Sequence, residues 1–291
     1  MTAPPTSSHR SDTLGGLAFV ALWSTGYIAA EFALTGGGAF TVAVLRFAAS
    51  ALIIGGWLLW RPASPAGRSA LRHAAVAGVL LQAGFFGFTY AGMRAGVPPA
   101  AAGLIAGLMP LVTALGAAVL LGERMTRWTL PGLLLGLAGV LLVVAPQLRA
   151  PDSALGYAAM LAALLSLSGG TLYQKRHSGA LDPRLSLWVQ LVAAGLVLLP
   201  FAAALEGLQY TPGPAAFGGL AWVILVNSCA GLLLYLWLLH RGAAARVAGL
   251  FYLVPPATAL MAAIVLGAGF GGREIGGFAL AAAGVWLGQR R

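Results

Sequence analysis

The chain has 291 residues, of which 59% are hydrophobic and only 8% are charged. A soluble domain of this length could not bury so much apolar surface, whereas a helix in lipid exposes apolar side chains on every face. The formal net charge of +10 is spread between apolar stretches and forms no basic stripe or tail, which argues against a nucleic-acid partner. We therefore expect an all-α integral membrane protein surrounded by the lipid bilayer.

The elements follow in chain order from a polar, proline-containing stretch at residues 1–13, which we predict to be a flexible cytoplasmic tail. The apolar run after it lacks the small-residue cleavage site of a signal peptide, so it is predicted to be retained as a helix. Runs of about 20 mostly apolar residues have the length of a membrane-spanning helix. Ten such runs are predicted, at residues 14–34, 40–60, 74–93, 97–121, 128–146, 155–174, 185–205, 216–239, 245–267 and 274–288.

The basic residues orient the ten predicted spans. With both termini in the cytoplasm, thirteen Lys and Arg residues fall in cytoplasmic segments and only Arg94, Arg149 and Arg273 fall outside. Arg46 lies within the second span. This distribution follows the positive-inside rule, and one missed or extra span would scramble it.

An internal repeat appears at an offset of 145 residues, where aligning 110–142 with 255–287 leaves fourteen of 33 positions identical. Matched pairs in this register include Pro110 with Pro255, Gly122 with Gly267, Gly132 with Gly277, Gly139 with Gly284, Gln82 with Asn227 and Tyr90 with Tyr235. Each half has five predicted spans, an odd number, so the second half enters the bilayer inverted. The predicted domains are therefore two inverted five-helix repeats, 14–146 and 155–288, an arrangement typical of secondary transporters.

Three short motifs add to this pattern: Leu-Trp-Ser-Thr at 22–25, Leu-Arg-Phe at 45–47 and Leu-Gly-Glu-Arg at 121–124. With the five-plus-five arrangement, they resemble the EamA family of the drug/metabolite transporter superfamily over nearly the whole chain after residue 13. Within that family, the run 16–25 is most similar to aromatic amino-acid exporters. The resemblance implies a multi-pass exporter of the bacterial inner membrane with a central cavity. The second half departs from the pattern, since Ala268 stands where the first half has Glu123.

Polar and aromatic side chains near the middle of the spans form the candidate substrate site. A spacing of four places such residues on one helix face, and the third and eighth spans repeat the pattern. The candidate substrate-binding residues are Trp23, Ser24, Tyr27, Gln82, Phe86, Tyr90, Ser166, Ser168, Asn227 and Tyr235. Buried amides and serines could line a cavity or join helices by hydrogen bonds. The aromatic residues could stack on a substrate or serve ordinary packing.

A second group of residues is predicted to serve gating or structure. Arg46 could attract an anionic carboxylate or pair with Glu31, because a cation inside a span needs a partner. Pro110 and the Pro255-Pro256 pair fall inside the fourth and ninth spans, where proline removes a backbone donor and kinks a helix. Kinks at repeat-related positions could be hinges for alternating access or static features.

The sequence lacks the residues that disulfide formation, metal binding, ATP hydrolysis and enzyme catalysis require. The single cysteine, Cys229, forms no internal disulfide, the four histidines share no metal-ligand spacing, and no phosphate-binding glycine loop occurs. We expect no metal, no cofactor and no ATP hydrolysis. An enzyme would need a nucleophile and base in one cavity, and none is found; a channel would stay open to both sides.

The leading expectation is a monomeric transporter that exports amino acids, aromatic ones above all. No carboxylate lies at the middle of a predicted span, and a proton-coupled carrier usually needs a buried titratable group. We therefore expect facilitated transport down the substrate gradient. The alternative within the superfamily is a proton-coupled drug or metabolite efflux protein, which would use Glu31, the acidic residue nearest the interior of a span.

Overall fold

The computed structural model describes residues 7–122, 126–145, 153–177, 181–231, 234, 254–269 and 271–288. Within these ranges the regular secondary structure is helical, and extended backbone pairs only in an isolated antiparallel bridge between Gly37 and Tyr210. The prediction of an all-α fold is confirmed for this part of the chain.

The helices are numbered α1 to α10 in chain order. The first half contains α1 (Ser7–Leu34), α2 (Ala39–Trp60), α3 (Arg68–Arg94), α4 (Pro99–Ala106 and Met109–Leu121) and α5 (Thr129–Val144). The second half contains α6 (Ser153–His177), α7 (Pro183–Glu206), α8 (Pro214–Ala230), α9 (Val254–Leu266 in its described part) and α10 (Gly272–Gly288). Helix α1 begins inside the stretch predicted as a tail, because no proline after Pro5 interrupts it.

Six of these helices are long and apolar enough to cross a membrane: α1 from Gly15 onward, α2, α3, α4, α6 and α7. The described parts of α5, α8 and α9 are shorter apolar helices. Large apolar side chains point outward from the bundle, with Leu52 77% and Leu59 86% exposed. Such a surface suits lipid. The total of ten spans, the inverted repeat and the cytoplasmic termini stay predictions.

Helices α3 and α8 each contain a π-helical segment, at Val79–Gly84 and at Val223–Ala230. The repeat offset of 145 residues carries 79–84 onto 224–229, which lies inside the second segment. π-helical turns are rare, so two of them at matching positions of the repeat are not expected by chance. Such turns are also found mostly at functional sites. Gln82 and Asn227 each lie within one of these segments.

Two helix ends also match across the offset. The second segment of α4 ends before Gly122 and α9 ends before Gly267, and these glycines have φ values of +67° and +64°. Glycine adopts this left-handed conformation without steric cost and is the usual residue just after a helix. The shared glycines of the sequence repeat therefore have the same local role in both halves.

Helices α5 and α10 are in close backbone contact through glycine. A Cβ atom at Gly132 would overlap the backbone of Gly284, and one at Gly139 would overlap the backbone of Gly277. Gly132 corresponds to Gly277 in the repeat register, and Gly139 to Gly284. Each contact therefore maps onto the other when the halves are exchanged, as in a two-fold symmetric interface.

The most extensive helix contacts join the first half of the chain to the second. They pair α5 with α10, α2 with α7, α3 with α6 and α1 with α8. Helix α1 also packs on α9, and α4 packs on both α6 and α9. The sequence halves are thus interleaved and do not form two separate bundles.

The start and end of α7 follow from local sequence. The Asp182 carboxylate accepts hydrogen bonds from the backbone N–H of Arg184, at 2.8 Å, and from its guanidinium, at 2.7 Å. The bond from the Arg184 side chain lowers the pKa of the Asp182 carboxyl below its ordinary value. Gly207, with φ +62°, ends the helix. Asp-Pro at a helix start and Gly at its end are the expected capping residues.

We expect Gly284→Ala to lower the free energy of unfolding by about 1–3 kcal/mol, because its methyl group would overlap the backbone of Gly132 and Gly136. The measurement is SDS-induced unfolding from detergent micelles, followed by tryptophan fluorescence. The matched control is Gly56→Ala on α2, where a Cβ atom would have open space. It should keep or slightly raise stability, since alanine favours a helix over glycine. Equal losses in both variants would contradict close α5–α10 packing.

Candidate substrate site

A small cavity lies among α1, α2, α3 and α8. Its lining residues are Trp23, Gly26, Tyr27, Arg46, Phe85, Phe86, Thr89, Tyr90 and Asn227. The space open to the centres of water molecules is about 30 Å³, which is enough for roughly two or three waters. An amino acid needs more room, so a substrate that enters this cavity must move the side chains around it.

The cavity brings together six of the residues that the sequence singled out: Trp23, Tyr27, Arg46, Phe86, Tyr90 and Asn227. Trp23 and Tyr27 share one face of α1, and Phe86 and Tyr90 share one face of α3, because each pair is four residues apart. Tyr27 and Tyr90 are 6% and 2% exposed. The helical period was therefore sufficient to predict these pairs.

Arg46 is the buried cation of the site. Its Nη1 donates to the Tyr90 hydroxyl at 2.7 Å, and its Nε donates to the Ser228 hydroxyl at 3.0 Å. The guanidinium also lies 3.9 Å from the ring centroid of Phe86, a cation–π contact. These bonds connect α2, α3 and α8. Arg46 does not pair with Glu31, which lies partly buried on α1 with Arg94 as its electrostatic neighbour.

Asn227 lies in the π-helical segment of α8 and faces α1. Its Nδ2 donates to the Leu22 carbonyl at 2.5 Å. Since a carbonyl oxygen can only accept, this bond fixes which end of the amide is the nitrogen. The Oδ1 atom is buried and has no hydrogen-bond partner among the described residues. Gly26 permits the approach, because a Cβ atom there would come within 2.9 Å of Nδ2.

Four other predicted binding residues lie outside the cavity lining. The Ser24 hydroxyl is fully buried and contacts the Val254 carbonyl at 3.4 Å, where α1 packs on α9. The Ser166 hydroxyl donates to the Leu80 carbonyl at 3.0 Å, at the π-helical segment of α3. Ser168 is buried on α6, and Gln82 lies within that same segment of α3. Tyr235 lies outside the described residues.

The predicted prolines lie where α4 meets α9. Helix α4 is interrupted at Gly107 and Leu108, directly before the segment that contains Pro110. The ring of Pro255 lies so close to Gly107 that a Cβ atom would come within 2.5 Å of it. Pro256 follows Pro255 in the first turn of the described part of α9. The break in α4 and Pro255 of α9 therefore form one contact between the halves.

The family model described as the EamA-like transporter family matches this chain twice, at residues 12–145 and 154–288. The chain belongs to this family. This EamA-like protein is a transporter and not an enzyme, and it is a multi-pass protein of the bacterial inner membrane.

Relatives of this EamA-like transporter are distant. A Salmonella typhimurium protein named "Probable amino-acid metabolite efflux pump" is 28% identical over 72% of this chain and 74% of its own length. The Escherichia coli "Uncharacterized inner membrane transporter YedA" is 24% identical over 87% of this chain and 81% of its own. A solved crystal structure matches with a TM-score of 0.68 and 24% identity, covering 96% of this chain and 97% of that one.

A carboxylate that the sequence did not single out, Glu206, joins the two halves of the transporter. Glu206 is the last residue of α7, and it accepts hydrogen bonds from the backbone N–H groups of Phe40, at 3.1 Å, and Thr41, at 2.7 Å. It also accepts from the Thr41 hydroxyl at 2.8 Å. A carboxylate at the start of α2 satisfies N–H groups that have no partner within the helix.

The loops beside Glu206 are paired as well. The backbone N–H of Thr211 donates to the Gly36 carbonyl at 2.7 Å, and Gly37 and Tyr210 form the antiparallel bridge. The Tyr210 hydroxyl is fixed within its own segment, where it donates to the Ala216 carbonyl at 2.8 Å. Burial raises the pKa of the Tyr210 hydroxyl. We name this contact the loop clamp, and it comprises Gly36, Gly37, Glu206, Tyr210 and Thr211.

At the other end of the bundle, two histidines that are distant in sequence come together. The imidazoles of His73 on α3 and His177 on α6 stack with ring centroids 4.5 Å apart. The Nδ1 atom of His73 also lies 2.7 Å from the Tyr173 hydroxyl. Their spacing in sequence gave no sign of this contact, which forms because α3 packs on α6.

We expect Glu206→Gln to lower the free energy of unfolding by about 1–3 kcal/mol, because hydrogen bonds to a charged group are lost and the new amide nitrogen faces N–H donors. The measurement is the same SDS titration. The matched control is Glu274→Gln, whose carboxylate accepts one exposed hydrogen bond, from the Gly271 N–H at 2.9 Å. That variant should stay within about 0.5 kcal/mol of the wild type. A Glu206 variant as stable as the control would contradict the clamp.

Proposed function

We propose that this transporter exports amino acids, aromatic ones above all, by alternating access around the cavity between α1, α2, α3 and α8. The observation that carries the proposal is the cavity lining, in which aromatic rings surround one guanidinium and one amide. Among the described lining residues there is no carboxylate. A zwitterion with an apolar side chain matches such a lining better than a cationic drug, which the guanidinium repels.

The aromatic wall favours aromatic substrates. Phe86 lies 4.7 Å from Phe85 and 6.1 Å from both Phe47 and Tyr90, measured between ring centroids. These separations lie in the range of edge-to-face and offset aromatic pairs. A substrate ring that enters this wall gains similar contacts. The Salmonella typhimurium relative is named as an amino-acid metabolite efflux pump, which is in keeping with this substrate class.

Ten spans in two inverted five-helix repeats, 14–146 and 155–288, are the proposed architecture. Supporting observations are the two family matches, the π-helical segments at one offset and the glycine-ended helices at that same offset. The α5–α10 contact maps onto itself when the halves are exchanged. It therefore supports a pseudo-two-fold axis in the membrane plane that relates the two halves. With both termini in the cytoplasm, the loop clamp lies on the outer side.

Alternating access then requires the loop clamp to open and close. The clamp joins the α1–α2 loop to the α7–α8 loop. In the proposed cycle, the formed clamp is the state in which the cavity is closed toward the outer side. The break in α4, packed against Pro255, is a place where the helix ladder is already interrupted and can bend at low cost. A hinge there would let α4 and α9 move relative to each other.

A second candidate is proton-coupled efflux of a drug or metabolite. It is favoured by one observation, the partly buried carboxylate of Glu31 within the apolar part of α1. A titratable group in this position is the kind of residue that couples proton movement to transport. Glu31→Gln would then abolish coupling, whereas a facilitated carrier would keep its flux.

The two candidates are separated by reconstituting the purified protein in liposomes. Labelled tryptophan, phenylalanine, threonine and a cationic dye are each measured with and without an imposed pH gradient. Saturable tryptophan and phenylalanine flux that needs no pH gradient supports the proposal. Dye flux that depends on the pH gradient and is lost in Glu31→Gln, without amino-acid flux, overturns it in favour of the second candidate.

In the same assay, we expect Trp23→Ala to raise the KM for tryptophan about 2- to 10-fold, because one aromatic contact contributes about 0.5–1.5 kcal/mol. The KM for threonine should change less. The matched control is Trp60→Ala, which removes a ring that is 75% exposed at the end of α2. If the two variants behave alike, the ring of Trp23 does not contact the substrate.

A further inference from the structure

Arg46 is held by neutral partners alone among the described residues. Its side chain is 6% exposed, and its hydrogen bonds go to the hydroxyls of Tyr90 and Ser228. Ser228 donates in turn to the Val223 carbonyl at 3.0 Å. A guanidinium has five N–H donors and stays protonated in proteins. Two bonds to hydroxyls leave both its full charge and several of its donors without a counterpart.

The chain has seven acidic residues. The four whose side chains the structure describes are Glu31, Asp182, Glu206 and Glu274, and none of these four pairs with Arg46. Asp182 binds Arg184, Glu206 binds the start of α2, and Glu274 binds the Gly271 N–H. Residues 232–253, which continue the chain beyond Ser228, contain no acidic residue. A buried cation in a membrane protein is costly without an opposite charge.

Asn227 supplies a complementary group on the same cavity. Its amide nitrogen donates to the Leu22 carbonyl, so the Oδ1 atom is the part of the amide that is left to bind a ligand. This atom is buried and has no hydrogen-bond partner in the described part of the chain. A buried acceptor that lacks a donor is unfavourable, and a donor from a ligand removes that cost. An ammonium group offers three such donors.

From these two residues we infer that the cavity recognises the two charges of a free α-amino acid. Arg46 binds the α-carboxylate, and the Oδ1 atom of Asn227 accepts a hydrogen bond from the α-ammonium group. The inference rests on the proposed function and deepens it, because it names the chemical groups that a substrate must have. Amides, esters and decarboxylated amines lack the anion that Arg46 requires. Carboxylic acids without an amino group lack the donor that Asn227 requires.

The wild-type protein in liposomes gives the first test. Unlabelled tryptophan amide, tryptamine and indole-3-propionate compete with labelled tryptophan for transport. We expect each analogue to compete about 10- to 100-fold more weakly than tryptophan, because each leaves a buried polar group unpaired. Tryptophan flux with equal competition by the amide would overturn the inference and leave the proposed function standing. The absence of any tryptophan or phenylalanine flux would instead overturn the proposed function.

Two variants give a crossed test. Arg46→Gln should lose the discrimination between tryptophan and its amide but keep that against indole-3-propionate. Asn227→Ala should do the reverse. If the two residues have only a structural role, all competitors should weaken in parallel. The ratio of competition by tryptophan to competition by the amide, and the same ratio for indole-3-propionate, would then stay as in the wild type. That result would overturn the inference. Arg46→Lys, which keeps the charge, should retain discrimination against the amide.

Two controls test whether each variant folds and whether the effect depends on an arginine inside the cavity. Arg61→Gln replaces an exposed arginine that follows the end of the same helix and should leave both ratios as in the wild type. Each variant is first checked for a single peak in size-exclusion chromatography. If Arg46→Gln does not fold, Tyr90→Phe replaces it, since this variant keeps the ring and the guanidinium. Loss of the Tyr90 hydroxyl frees one N–H donor of Arg46. The discrimination against the amide should therefore stay at or above its wild-type value. Loss of that discrimination in Tyr90→Phe would overturn the role of Arg46.

Discussion

The hydrogen bonds of Arg46 are the interaction on which the centre of this transporter depends. An apolar bundle cannot leave a guanidinium among hydrocarbon side chains, so hydroxyls from α3 and α8 and the face of Phe86 have to surround it. These contacts hold three helices from both halves at fixed distances around a common space. The cavity lies against this guanidinium, among the helices that supply its partners.

Features that depend on one helix, or on one register, could be predicted from the sequence. Trp23 with Tyr27 and Phe86 with Tyr90 line the cavity because a spacing of four sets a common face, whichever helix lies opposite. Gly122 and Gly267 end helices because only local backbone conformation matters there. Apolar length likewise identified helices that can cross a membrane without knowledge of their neighbours.

Features that depend on which helices meet could not be predicted. Glu206 and Thr41 are 165 residues apart, and nothing near either of them indicates the other. Ser24 and Ser166 were assigned to the substrate by depth alone, but depth does not fix direction around a helix, and both hydroxyls face neighbouring backbone carbonyls. The π-helical segments were also missed, because one extra residue in a turn changes no composition and no apolar period.

The pairing of α5 with α10 sets the order in which the chain can be assembled during its synthesis. Helix α5 is synthesised well before α10, and at ~5–20 residues per second the delay between them is roughly 10–30 s. Until then Gly132 and Gly139 lack the α10 backbone that packs against them in the folded protein. A helix of the second half is therefore the one that completes the packing of α5 in the first half. A nascent chain that stops before Gly272 leaves Gly132 and Gly139 without this backbone contact.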